Sequence, residues 1–169
     1  MNPVASTAPN RLVRSADFER VLQTRSRVRS AHFAVHHVPD WPFDPPRRFR
    51  EAASHKLSTA EAPNGVTSVD NSHEVVMPLT GRLWLGAIVP KRHAKRAVTR
   101  TLLKRQIRAA VGVRAAGLKG GLWVVRLCAP FDRSKYPSAA SDALRIAART
   151  ELETLMAQAA RRCAAAPQG

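Results

Sequence analysis

The chain has 169 residues, enough for one domain with an apolar core, and its 44% hydrophobic content places it among folded rather than disordered sequences. It carries 28 Lys and Arg against 12 Asp and Glu, a net charge of +16, which points to a polyanionic partner, with nucleic acid the first candidate. It has no apolar run of ~20 residues to span a bilayer and no lipidation motif, and its two cysteines, Cys128 and Cys163, lack metal-ligand spacing and make no disulfide framework, so no membrane partner and a reducing, cytoplasmic location are expected.

In chain order, residues 1–10 are assigned to a flexible basic arm that continues to Arg11 and Arg14. Ser15 is placed to cap a first helix ending near Thr24, with Asp17 and Glu19 in its opening turn, where the helix dipole favours acids, and with Phe18, Val21 and Leu22 on one face. A short strand around residues 27–29 and a longer one over residues 32–38 follow. Residues 39 to about 80, rich in Pro, Ser, Asn and charge and without a sustained period, read as a disordered or loosely packed insertion. Residues 83–89 and 122–127 have the pattern of buried strands, stopped by Pro90 and entered through Gly120 and Gly121. A basic helix starting near residue 96 lies between them. The last helix runs from residue 138 to about 160, with Leu144, Ala148, Leu152, Leu155, Met156 and Ala159 on one stripe. Residues 11–162 are thus expected to form a single α+β domain of helices against a small sheet, followed by a tail at 163–169.

Charge concentrates in one part of this frame. Residues 75–131 hold twelve Lys and Arg and no acid, +12 of the +16, whereas a solvated helix face mixes signs because opposite charges at i,i+4 support it. On the basic helix, Val98, Leu102, Leu103, Ile107, Ala110 and Val113 are expected on a packing arc, and Arg100, Lys104, Arg105 and Arg108 on a binding face. Arg100, Lys104 and Arg108 recur every four residues, about 6 Å apart along the axis at ~1.5 Å per residue, close to the spacing of phosphates on a strand. Lys91, Arg92, Lys95 and Arg96 lead into the helix, where free backbone N–H groups favour anions.

The stretch that runs from Leu85, Gly86, Ala87, Ile88 and Val89 through Pro90, Lys91 and Arg92 to Arg96, Arg100, Lys104, Arg105 and Arg108 resembles the signature of the protein subunit of bacterial ribonuclease P: a strand ending in a basic pair, then an Arg- and Lys-rich helix. Residues 11–18 look like that family's opening segment. The chain departs from the signature at Thr101 and Leu102, where the family has Asn and a second Arg, and at Ala109, where it has Glu. The resemblance implies a sheet of about four strands with three helices in the order α-β-β-β-α-β-α, similar to the second domain of a small-subunit ribosomal protein. It also implies a left-handed crossover between the two buried strands, although such crossovers are nearly always right-handed. By the same likeness the protein would join a catalytic RNA in the endonuclease that removes the 5′ leader of precursor tRNA, with no obligate protein partner. Lys91, Arg92, Lys95, Arg96, Arg100, Lys104, Arg105 and Arg108 would hold RNA, and Phe18 and His36, with Phe33 beside them, would line a cleft for the single-stranded leader.

No protein active site is expected. Hydrolysis by two metals needs clustered carboxylates, and the acids here are scattered singly. His36 and His37 point to opposite faces of a strand and cannot share one metal; His32, His55, His73 and His93 read as surface or loop residues. Catalysis and its Mg²⁺ requirement would therefore lie in the RNA subunit, with no cofactor bound by the protein alone. A structural ribosomal RNA-binding protein is the alternative from another class. A DNA-binding regulator fits less well, since its recognition helix should follow another helix after a short turn.

Overall fold

The structure, a computed structural model, describes residues 8–43 and 81–165. In β3 (Phe33–Val38), β4 (Leu83–Ile88) and β5 (Gly121–Leu127), apolar residues occupy both parities, as strands covered on both faces require. These three form the centre of a five-stranded sheet ordered β1-β4-β5-β3-β2, with the two-residue strands β1 (Asn10–Arg11) and β2 (Val28–Arg29) at its edges. β4 and β5 are parallel, as the intervening helix α2 (Ala97–Arg114) demands, while β3 runs antiparallel to β5.

Strand alternation divides the core in two. Phe33, Val35, Leu83, Leu85, Trp123, Val125 and Leu127 face α2 and α3 (Asp142–Ala165), packing on Leu103, Ile107, Ala110 and Val111 of the first and Ala148, Leu152, Leu155, Met156 and Ala159 of the second. Trp84, Leu122 and Val124 face the other way, under α1 (Ser15–Gln23), and pack with Leu12 and Val21. Two glycines are required by this arrangement. Gly86 lies against the Phe18 ring, where a Cβ would sit 2.3 Å from the ring edge, and Gly121 has φ +121° with the Val38 carbonyl 2.4 Å from where a Cβ would be.

The α+β class and the order of the elements are as the sequence implies, with differences. The sheet has five strands among the described residues rather than about four, because Asn10 and Arg11, assigned to the flexible arm, pair with Trp84 and Leu85. Leu12 then buries its side chain. Ser15 does not cap α1: Arg14 holds the N-cap position with no side-chain cap. Asp17 is instead fully buried and accepts the Phe43 N–H at 3.0 Å, and Arg20 donates to Asp40 at 3.0 Å and to the Trp41 carbonyl. Residues 39–43, given to the loose insertion, are thus strapped to α1, and Trp41 packs edge-on against Trp84 at 4.8 Å. The remainder of the insertion, the outer arm and residues 166–169 lie outside the described residues. α3 begins at Asp142, later than residue 138, and its predicted stripe, from Leu144 to Ala159, is buried throughout; it also runs on to Ala165, so that Cys163, assigned to the tail, is a buried helical residue of the core. Among the described residues no helix is long and apolar enough to cross a membrane.

Candidate nucleic-acid interface

The face of the sheet under α1 is closed at one end by Trp84, Leu122 and Val38 and, among the described residues, is less covered toward the other. There Phe18, His36 and Ile88 are half-buried, Arg126 lies between Ile88 and Ala34, and Arg29 pairs with Ala34 on the same face. His36 Nδ1 stands 3.0 Å from the Thr24 carbonyl, so the neutral ring carries its proton there and donates it. Burial lowers the His36 pKa below its ordinary value, and the Arg126 and Arg29 guanidinium groups lower it further, against the Thr24 hydrogen bond. The result is a strip with a neutral imidazole and a phenyl ring flanked by two guanidinium groups, a combination suited to a single nucleic-acid strand.

Sequence reasoning placed Phe18, Phe33 and His36 together; the structure brings only Phe18 and His36 to this face. Phe33 is fully buried on the other side among the α2 and α3 contacts, because its parity is opposite to that of His36. Arg29 and Arg126 were missed as members of the strip. The same alternation could have found them, since Arg126 is two residues from Val124 on β5 and register fixes which strand neighbours it meets. His32, read as a surface or loop residue, does lie in the turn before β3 and is half-buried; there it pairs with Glu151 at 2.7 Å and stacks flat on Phe131 at 3.9 Å.

The cationic loop adjoins this strip. Arg126 pairs with Ile88, the last residue of β4, and the chain runs on from there through Val89 and Pro90 into residues 91–96, a turn closed by the His93 and Ala94 N–H groups on the Pro90 carbonyl. Lys91, Arg92, Lys95 and Arg96 are exposed there. On α2, Arg105 and Arg108 are exposed, and Lys104 is half-buried. The packing arc is rotated from expectation: Leu103, Ile107, Ala110 and Val111 are buried, whereas Val98 and Val113 are 57% and 73% exposed. Arg100 consequently sits at the rim of the buried arc, and its Nη1 turns back to donate to the Ala94 and Lys95 carbonyls at 3.1 and 2.6 Å. Its charge remains beside the loop while its donors hold the loop's shape. Leu102, at the position of the missing signature arginine, packs against the main core. The helix start, where the cationic loop ends, has no acid in its first turn and no side-chain cap, so its first N–H groups add to the positive character there. Among the described residues no three His, Cys, Asp or Glu side chains stand close enough to hold a metal ion.

Residues 7–151 match the model of a family described as Ribonuclease P. Three relatives, each named Ribonuclease P protein component, are similar over a shorter stretch. That of Paraburkholderia xenovorans is 42% identical over 77 residues, 46% of this chain and 55% of that protein. That of Burkholderia pseudomallei strain 1106a is 42% identical over 80 residues, 47% and 59% of the two chains, and that of Ralstonia pickettii is 40% identical over 83 residues, 49% and 58%. The chain therefore spans little more than half the length of the curated relatives it matches. The solved Staphylococcus aureus RNase P protein aligns over 87% of this chain and 92% of that one with a TM-score of 0.49 and 18% identity.

Proposed function

The chain belongs to the Ribonuclease P family, and on that premise we propose that it is the protein subunit of the ribonucleoprotein that removes the 5′ leader from precursor tRNA. Residues 91–96 and the exposed face of α2 bind the catalytic RNA; the strip of Phe18, His36, Arg29 and Arg126 receives the single-stranded leader. The protein supplies positive charge and stacking surface, and the hydrolytic Mg²⁺ ions belong to the RNA, in the cytoplasm. The observation that supports this reading best is the register that sets Arg126 of the strip beside Ile88, the last residue of β4, from which the chain runs directly into the cationic loop of residues 91–96; one chain could thus touch a structured RNA and a single strand at once. Phosphate contacts position without reading sequence, and aromatic stacking tolerates any base, which suits leaders of varied sequence.

Reconstitution tests it. Nuclease-free protein alone should leave precursor tRNA intact, and adding the cognate catalytic RNA should restore cleavage at the mature 5′ end. Phe18→Ala should weaken binding of long-leader precursors by roughly tenfold, the loss of about one stacking platform, and leave a precursor with a very short leader almost unaffected. Mg²⁺-dependent cleavage by the protein without RNA, or selective recovery of ribosomal RNA with the protein from extract, would refute the reading.

A further inference from the structure

Beyond the strip and the basic face, the loop from β5 to α3 folds across the start of α2 and forms with it a half-open recess of about 270 Å³. Lys95, Arg96 and Arg133 line it together with Phe131 and Tyr136, and among the described residues no carboxylate does. The loop's acid, Asp132, is taken up by its own turn, accepting the Ser134 N–H at 2.9 Å and hydroxyl at 2.8 Å.

Its walls are held in place from two sides. Glu151 accepts hydrogen bonds from the Ser30 hydroxyl at 2.5 Å and the His32 N–H at 2.7 Å and pairs with the His32 ring; that ring lies flat on Phe131, and Phe131 meets Tyr136 edge-on at 5.9 Å. From the other side, Arg96 donates to the Pro137 carbonyl at 3.3 Å and Thr99 to the Ala139 carbonyl at 2.6 Å, tying the first turn of α2 to the loop. Two arginines and a lysine beside an aromatic wall, in a recess that no acid among the described residues lines, match a phosphate attached to a flat ring.

We propose that this recess is a nucleotide subsite for one unit of an RNA strand, with Arg96 and Arg133 on the phosphate and Tyr136 against the base or ribose. The proposal rests on the RNA-binding reading for its source of ligand, and it adds Arg133 and Tyr136, which lie outside the helix signature. It would extend the RNA footprint around the start of α2 from the loop of residues 91–96 to the loop before α3.

Adenosine 5′-monophosphate and inorganic phosphate serve as probes on the full chain, followed through the NMR signals of the Arg96 and Arg133 side chains and the Tyr136 ring. The nucleotide should shift all three saturably and bind more tightly than phosphate. Tyr136→Ala should weaken it roughly tenfold, as loss of one stacked base does, and Tyr136→Phe should restore it. Equal binding of the two probes, indifference to Tyr136→Ala, or no shifts at all would overturn the subsite. With the catalytic RNA, Arg133→Ala should lower the log–log salt slope by about one and Tyr136→Ala should weaken affinity; nucleotide binding with unchanged RNA affinity would overturn the assignment to an RNA strand. A wild-type chain with no affinity for the catalytic RNA would instead refute the proposed function, whatever the nucleotide does.

Discussion

Glu151 on α3 gathers the Ser30 hydroxyl, the His32 N–H and the His32 ring onto one carboxylate, joining the β2–β3 turn to the far end of the chain. Burial raises its pKa, but those hydrogen bonds together lower it by more, and the net value lies below the ordinary 4.5. A carboxyl whose folded pKa is depressed contributes stability that is fully present above about pH 4.5 and is lost as pH falls through the folded value. His37 acts in a higher window. Burial lowers its pKa from 6.5, Arg27 and Lys119 lower it further, and the Gly120 carbonyl opposes them. Its contribution is therefore complete above pH 6.5 and declines as the pH drops below that value. Denaturant melts against pH should show stability falling below pH 6.5 and again below pH 4.5. Glu151→Gln should flatten the lower limb and, by weakening bonds to a charged acceptor, cost about 1–3 kcal/mol at pH 7; an unchanged acid limb would show that this carboxylate is not the group responsible. Gly86→Ala tests a contact of another kind. The added methyl must displace the Phe18 ring, so it should cost about 1–3 kcal/mol as overpacking and also weaken binding of a long leader. The sequence shows Gly86 within a buried strand but not the ring above it, because that contact joins residues far apart in the chain.

At the scale of the element, α2 shows what periodicity can and cannot reveal. The stripe on α3 was legible residue by residue because its residues from Leu144 to Ala159 are all buried, covered by α2, β2 and β3 in turn. The arc on α2 was legible only in its middle, where Leu103, Ile107 and Ala110 lie; the buried set closes on Val111 rather than Val98 or Val113, since neighbours on α3 and the sheet decide which flank is covered. That small rotation separates Arg100 from the other cations. Arg108→Ala should remove an exposed charge, reducing the log–log salt slope for catalytic RNA by roughly one with little change in melting. Arg100→Ala removes two hydrogen bonds to the loop carbonyls as well as a charge, so it should also destabilise the loop by about 1–3 kcal/mol. Faster amide exchange at Ala94 and Lys95 would report that loss. Identical salt slopes for wild type and Arg108→Ala would remove this face from the RNA interface. Leu103→Ala should act through stability alone, at about 2–5 kcal/mol for a fully buried leucine.

Over the whole molecule, the sheet separates two tasks. One face, under α2 and α3, carries the larger core and holds the basic helix; the other, under α1, is closed by Trp84 and Trp41 at one end and, among the described residues, only half-covered at Phe18, His36, Ile88 and Arg126 at the other. The sequence made the central strands and the charge block plain, because burial and single-sign charge are local in composition. It hid β1, whose two residues are too few for a period, and the strap of residues 39–43, whose hold on Asp17 and Arg20 is tertiary. A division with cations around both surfaces predicts how activity should depend on ions. If the protein screens repulsion between the catalytic RNA and its substrate, its benefit should be largest at low Mg²⁺, where the ion atmosphere is thin, and should shrink as Mg²⁺ rises and takes over that role. If the strip also holds the leader, part of the benefit should survive at high Mg²⁺, since stacking on Phe18 is not screened by ions. Cleavage by the catalytic RNA with and without protein, titrated with Mg²⁺ on long- and short-leader precursors, separates the two contributions. The expected pattern is a protein effect that declines toward nothing for the short leader and toward a finite residue for the long one, a residue that Phe18→Ala removes. A protein effect independent of both Mg²⁺ and leader length would mean that neither surface works as assigned.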